Sequence, residues 1–196
     1  MTRSVALLAF DDMEALDFAG PYEVLTTASR VAKGRGMDTP FSVTSVASAA
    51  VIRARAGLAI VPDHHLRDVA SADVVVVPGG VTSVVERDEE VTRWIARAAA
   101  RAEVVASVCT GVFLLAAAGV VSDHHVTTHW EDVDELNARY PDLRVRRDVR
   151  WVDEGHLVTS AGISAGIDMS LHLVERLVST ELAAATANQM DYDWRR

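Results

Sequence analysis

A chain of 196 residues, 49% hydrophobic and 24% charged, has ordinary globular composition and enough length for a sizeable core, which excludes a disordered or low-complexity protein. A net charge of -9 argues against a nucleic-acid surface, because phosphate recognition needs clustered Lys and Arg. The single cysteine, Cys109, excludes an internal disulfide and a Cys-x-x-Cys metal or redox pair, and it points to a reducing compartment.

The N-terminal stretch MTRSVALLAFDD has too short an apolar run for a secretory signal, and no stretch approaches the roughly 20 apolar residues of a bilayer span. A soluble cytoplasmic protein without membrane contact is expected. SVALLAF, stopped by Asp11 and Asp12, predicts a strand buried on both faces. A helix follows from about Phe18 to Val31, with Pro21 in its first turn. GRGMDTP reads as a loop and FSVTSVAS as a strand, and VIRARAGLAIVPD as a β-ribbon turning near Gly57. ADVVVVPGG is a strand of four valines stopped by Pro78, Gly79 and Gly80. DEEVTRWIARAAARA has an amphipathic pattern with acidic residues in its first turn, where the helix dipole favours them.

EVVASV is another apolar strand, and CTGVFLLAAAGVV continues it as a helix stopped near Gly119. VTTHWEDVDELNARY predicts a short strand into a helix ended by Pro141. The basic segment RVRRDVR, 144–150, is interrupted by aspartate and reads as a solvated strand edge. VRWVDEGHLVTS predicts a hairpin turning at Glu154-Gly155, and SAGISAGIDMSLHLVERLVSTELAAATANQM a single long helix behind a Gly-rich start. With no repeat or linker to divide it, the chain reads as one domain, 1–196. Alternating strands and helices imply an α/β three-layer sandwich with a mostly parallel central sheet. Sites in such sheets lie beyond the carboxyl ends of the strands. That rule puts Asp11 to Asp17, Pro78 to Gly80, Cys109 and the segment around His129 on one rim.

Ser107-Val108-Cys109-Thr110-Gly111 has the spacing of a nucleophile elbow, a sharp strand-to-helix turn that needs small residues two before and two after the nucleophile. At a helix start the dipole would lower the thiol pKa. A buried structural cysteine fits the pattern equally well. The N–H groups of Gly80 and Thr110 are candidate oxyanion donors beside it, although PGG also makes a plain turn. Asp17 is either a proton carrier for the cysteine or an N-cap of the first helix. His124, His125 and His129 include an i, i+4 pair, but the intervening segment reads as strand, so no metal site is expected. His64 and His65 look like surface. Gly162 and Gly166 suit a tight helix start, and Asp168 suits its first turns, with a catalytic charge network as the other reading. The stripe in LHLVERLV fits core or a dimer contact.

LDFAGPYEVL, VVVPGG, SVCTGVFLLAAAGV, TTHWEDVDEL and TSAGISAGID occur in order along nearly the whole chain. In this the sequence resembles the ThiJ/PfpI superfamily, the cysteine branch of the class I glutamine amidotransferase-like, flavodoxin-like fold. Protease-like members carry Glu on the first loop and His after the cysteine; this chain has Asp17 and Thr110. It is similar here to the isonitrile hydratase branch. That resemblance implies hydration of isonitriles to N-substituted formamides through a Cys109 thioimidate, with Asp17 as proton shuttle and Thr110 supporting the site. It further implies Gly79, Gly80, Thr110 and His129 around a small-molecule substrate, no cofactor, and a homodimer. The same motifs resemble sensor domains of AraC-like regulators, which continue into helix-turn-helix modules where this chain stops at Arg196, and other hydrolase or glyoxalase-like branches.

Overall fold

The computed structural model describes residues 1–195. In chain order the elements are β1 (Arg3–Leu8), α1 (Ala15–Gly34), β2 (Phe41–Ala47), β3 (Ile52–Arg53), β4 (Ala59–Ile60), β5 (His64–His65), β6 (Val74–Val77), α2 (Glu89–Ala99) and β7 (Val104–Val108). They continue with α3 (Gly111–Ala117), β8 (His125–Val126), α4 (Val133–Arg139), β9 (Arg144–Val145), β10 (Trp151–Asp153), β11 (Leu157–Ser160), α5 (Ala165–Leu177) and α6 (Thr180–Gln189). The main sheet runs β10-β11-β7-β6-β1-β2-β5 and is parallel except for the β10–β11 hairpin.

The apolar runs that predicted two-sided burial occupy the middle of this sheet. Every residue of β6 and β7 is buried, and Val76 and Val77 stand opposite Ala106 and Ser107. That level register brings the loops after β6 and β7 out of the sheet side by side. Strand order reverses between β1 and β6, which is the switch point where a crevice opens in doubly wound sheets. Right-handed crossovers running in opposite directions from that point put helices on both faces. Accordingly α1, α5 and α6 pack on one another, while α2 packs on α3.

Three expectations change in detail. Helix α1 begins at Ala15, not Phe18, so Pro21 lies in its second turn, where it has no N–H to return to the Asp17 carbonyl. The expected long C-terminal helix is two. At Val178 (φ -129°, ψ -77°) the chain leaves the helix, and the Ser179 hydroxyl restarts it by accepting the Leu182 N–H at 3.2 Å. Low helix propensity across Val178-Ser179-Thr180 and a ready N-cap explain the break. His64 and His65, expected at the surface in a turn-like context, are exposed and half-buried respectively but form the edge strand beside β2.

The β3–β4 ribbon pairs Ile52 with Ile60 and turns through Gly57 at φ 91°, as the sequence predicts. Leu171, Leu173 and Val174 are wholly buried within the chain, so most of the LHLVERLV stripe is core. No helix among the described residues is long and apolar enough to cross a membrane. Ser179→Ala removes a capped N–H and should lower stability by about 1 kcal/mol in urea unfolding, with the m-value unchanged.

Candidate active site

Cys109 stands between β7 and α3 at φ 57°, in the left-handed region that a side-chain-bearing residue enters at a cost of about 1–2 kcal/mol. The turn around it is fixed from three sides. The Cys109 N–H donates to the Ser160 carbonyl at 3.1 Å, the Thr128 hydroxyl donates to the Cys109 carbonyl at 2.9 Å, and Phe113 N–H donates to the Thr110 carbonyl at 3.0 Å. The small residues of the elbow are required by contact. A Cβ on Gly111 would come within 2.3 Å of the Val77 carbonyl oxygen, and one on Gly79 within 2.5 Å of the Thr110 nitrogen. Ser107 is fully buried beneath the turn.

Asp17 arrives from the other side. It lies in the first turn of α1, but the N-cap position belongs to Glu14, so Asp17 does not cap the helix. Its side chain turns inward and has 0% exposure. Oδ2 accepts the Gly79 N–H at 3.1 Å; Oδ1 is buried without a well-formed hydrogen bond, and the Cys109 thiol is the neighbouring donor that acts on the carboxyl. Burial pushes Asp17 up to about 7, against the pull of the Gly79 N–H and the thiol, with the Glu14 charge adding to the rise.

The cysteine departs from the sequence expectation. Burial, then the Asp17 charge, push its thiol up to about 12, and the Thr110 N–H pulls back only in part. Helix α3 has seven residues and starts two positions later, so its dipole does not outweigh removal from water. The pair therefore titrates as a unit that holds one proton between about pH 7 and 12.

The backbone donors are largely committed. Gly79 N–H serves Asp17, and Gly80 N–H donates to Thr110 Oγ1 at 2.8 Å while that hydroxyl donates back to the Gly80 carbonyl at 2.9 Å. Of the expected donors, the Thr110 N–H is the one that acts on the cysteine. The loops after β1 and β6 are laced together by Glu14 N–H to Gly79 O, 2.9 Å, and Val81 N–H to Asp12 O, 3.0 Å.

A cavity of about 180 Å³ opens onto the elbow, lined by Glu14, Arg55, Gly80, Cys109, Thr110, His129, Glu131, Asp132 and Ile163. Asp17 and Gly79 lie behind this surface. The sequence had not singled out Glu14, Arg55, Asp132 or Ile163. Arg55 comes from the turn of the ribbon and pairs with Glu14 at 3.4 Å, and Ile163 is held at φ 41°. His129 Nδ1 lies 3.3 Å from Asp132 Oδ2 and 3.8 Å from Glu131 Oε2. Burial raises Asp132 above the usual carboxylate range, and His129 opposes that rise.

The remaining candidates separate from this site. His125 lies in β8 against Glu154 at 2.7 Å, and no helix joins it to His129. Asp168 is fully buried at the start of α5, ion-paired with Arg150 and accepting the Arg195 N–H at 2.9 Å. Arg150, its side chain 31% exposed, thus reaches inward to pair with a buried acid, unlike the rest of the segment read as a solvated edge. A lone acid in the apolar start of a helix was the signal that such a partner exists.

The profile of the DJ-1/PfpI family matches residues 3–176 of the chain. The chain belongs to the DJ-1/PfpI family. Within that family it is 34% identical over 194 residues to isonitrile hydratase from Pseudomonas putida, covering 98% of this chain and 79% of that protein. It is 27% identical over 191 residues to the HTH-type transcriptional regulator GbdR of Pseudomonas aeruginosa, covering 97% of this chain but 51% of the regulator. The solved structure of a ThiJ/PfpI family protein from Pseudomonas syringae superposes with a TM-score of 0.87 at 27% identity, covering all of this chain and 77% of the other. The DJ-1/PfpI fold here therefore carries both enzymes and regulators.

In this member the buried carboxyl makes stability depend on pH. The folded protein holds the Asp17 proton more tightly than the unfolded chain does. Asp17 thus favours folding fully below its ordinary value of 3.8, and that contribution is lost as pH rises through about 7. Asp17→Asn should flatten the pH dependence of Tm in this window, gaining on the wild type at pH 8 by up to about 4 kcal/mol relative to pH 4.

Proposed function

We propose that the protein hydrates small isonitriles to N-substituted formamides through a covalent intermediate on Cys109. The observation that carries this reading is the pairing of Asp17 with Cys109, buried together at a positive-φ elbow that opens onto a cavity, and burial raises both groups so that the pair keeps a proton near neutral pH. The 34% identity to an isonitrile hydratase over nearly the whole chain supports it, as does the resemblance of Asp17 and Thr110 in their motifs to that branch and not to protease-like members.

Sulfur attacks the isonitrile carbon, and the proton held by the pair ends on that carbon, giving R–N=CH–S–Cys109. Asp17 has no exposed surface but touches the reacting thiol, so it takes the proton as the S–C bond forms and returns it to the neighbouring carbon. Thr110 holds the elbow against the loop after β6 and directs its N–H at the sulfur. Gly79 orients Asp17 through its N–H, and Gly80 reaches the cavity wall. Water then adds to the thioimidate, and expulsion of sulfur releases the formamide. No step calls for a metal or cofactor.

A sensor domain is the second reading, favoured by the match of almost the full chain to a regulator. Formamide production from cyclohexyl isonitrile separates the two: turnover supports hydration, whereas binding without turnover supports the sensor. Cys109→Ala or Cys109→Ser should abolish turnover, and Asp17→Asn should lower kcat/KM by at least ~10²-fold. Because the active pair holds one proton, kcat/KM should rise with pH through about 7 and then level off. Wild-type rates in either cysteine variant would overturn the covalent route.

A further inference from the structure

The covalent route needs two proton transfers at different places, and Asp17 is placed for only one. It has no exposed surface and lies behind the sulfur, while the water that completes the reaction must come from the cavity. The cavity wall offers other titratable groups. Glu14 is paired with Arg55, and Glu131 is mostly exposed to solvent. His129 differs from these. Its side chain is 18% exposed and its Nδ1 faces Asp132, which leaves Nε2 as the ring nitrogen for a water in the cavity.

The chain is shaped around this ring. A Cβ on Gly162 would fall 2.0 Å from His129 Cδ2 and 3.1 Å from Nε2, so the Cδ2 edge of the imidazole occupies the space that a side chain at this position would fill. The preceding residue, Thr128, bonds the Cys109 carbonyl, which ties the position of the histidine to the elbow. Asp132 sits three residues on, in the short turn that leads into α4, and meets Nδ1 at 3.3 Å. A carboxylate on one ring nitrogen fixes the tautomer and favours proton uptake at the other.

We infer that His129, held by Asp132 and seated on Gly162, activates the water that hydrolyses the Cys109 intermediate; this rests on the isonitrile reading above. Water oxygen bonds to the thioimidate carbon as its proton passes to His129 Nε2. The C=N electron pair goes to nitrogen, which takes that proton back from the imidazolium. The C–S bond then breaks, sulfur leaves with the bonding pair, and the hydroxyl proton returns to the Asp17–Cys109 pair. The product is R–NH–CHO and the resting enzyme is restored. His129 acts on the reacting water; Asp132 and Gly162 are positioning residues.

Rapid-quench intact-protein mass spectrometry with excess cyclohexyl isonitrile tests this on the full chain. In Asp132→Asn and Gly162→Ala, the adduct of one isonitrile on Cys109 should form within about 3-fold of the wild-type rate. Formamide turnover should fall by roughly 10–100-fold, so that the adduct becomes the dominant species. Hydroxylamine, a nucleophile that needs no base, should restore release in both variants. A variant that merely disturbs the fold would slow adduct formation as well. Equal slowing of both phases, turnover at the wild-type rate in Asp132→Asn, or no rescue by hydroxylamine would overturn the role of the His129–Asp132 couple while leaving Cys109 chemistry intact. Absence of any wild-type adduct and any formamide would overturn both.

Discussion

Asp17 is an ionisable carboxyl with no contact with water, set against the thiol of Cys109. An unpaired charge in that position would be prohibitive, and the local structure can be traced to relieving it. The loop after β6 bends so that Gly79 can donate its N–H, and no side chain larger than hydrogen fits there beside Thr110. Thr110 in turn holds Gly80 through a reciprocal pair of hydrogen bonds, and the elbow presses Gly111 against the end of β6. The switch point of the sheet supplies the space, and the carboxyl decides how it is filled.

Burial has a chemical consequence that a helix dipole alone would not produce. Neither partner is held in a permanently charged state near neutral pH, because burial raises both and the Asp17 charge raises the thiol further. A shared proton is what the proposed addition to an isonitrile requires, since the same carbon must gain both a sulfur and a hydrogen. A resident thiolate would attack without a proton at hand. The left-handed backbone at Cys109 keeps the sulfur at the cavity surface while Asp17 remains behind it.

Much of the fold was legible because its signals are local. Four consecutive valines before Pro78, the apolar run before Cys109, and the Gly155 turn each predict an element that the structure contains. The break at Ser179 was written in the sequence too, but apolar periodicity on either side masked a good N-cap. The site was legible where a residue type is unusual, as with the lone cysteine and the acid that follows the first strand. It was illegible where meaning depends on distant partners. Asp132 reads as one of several acids in a helical segment until Gly162, thirty positions on, is seen to leave room for His129. Arg150 likewise reads as surface until Asp168 is found buried beside it. The lowered thiol pKa expected from the elbow failed because sequence spacing carries no measure of desolvation.

The central claim, that a buried Asp17 carries a proton into the neutral range beside Cys109, is tested most directly by difference infrared spectroscopy of wild type against Asp17→Asn across pH. The account predicts a protonated-carboxyl band that belongs to Asp17 and disappears with a midpoint of about 7. A midpoint in the ordinary carboxylate range near 3.8 would contradict it.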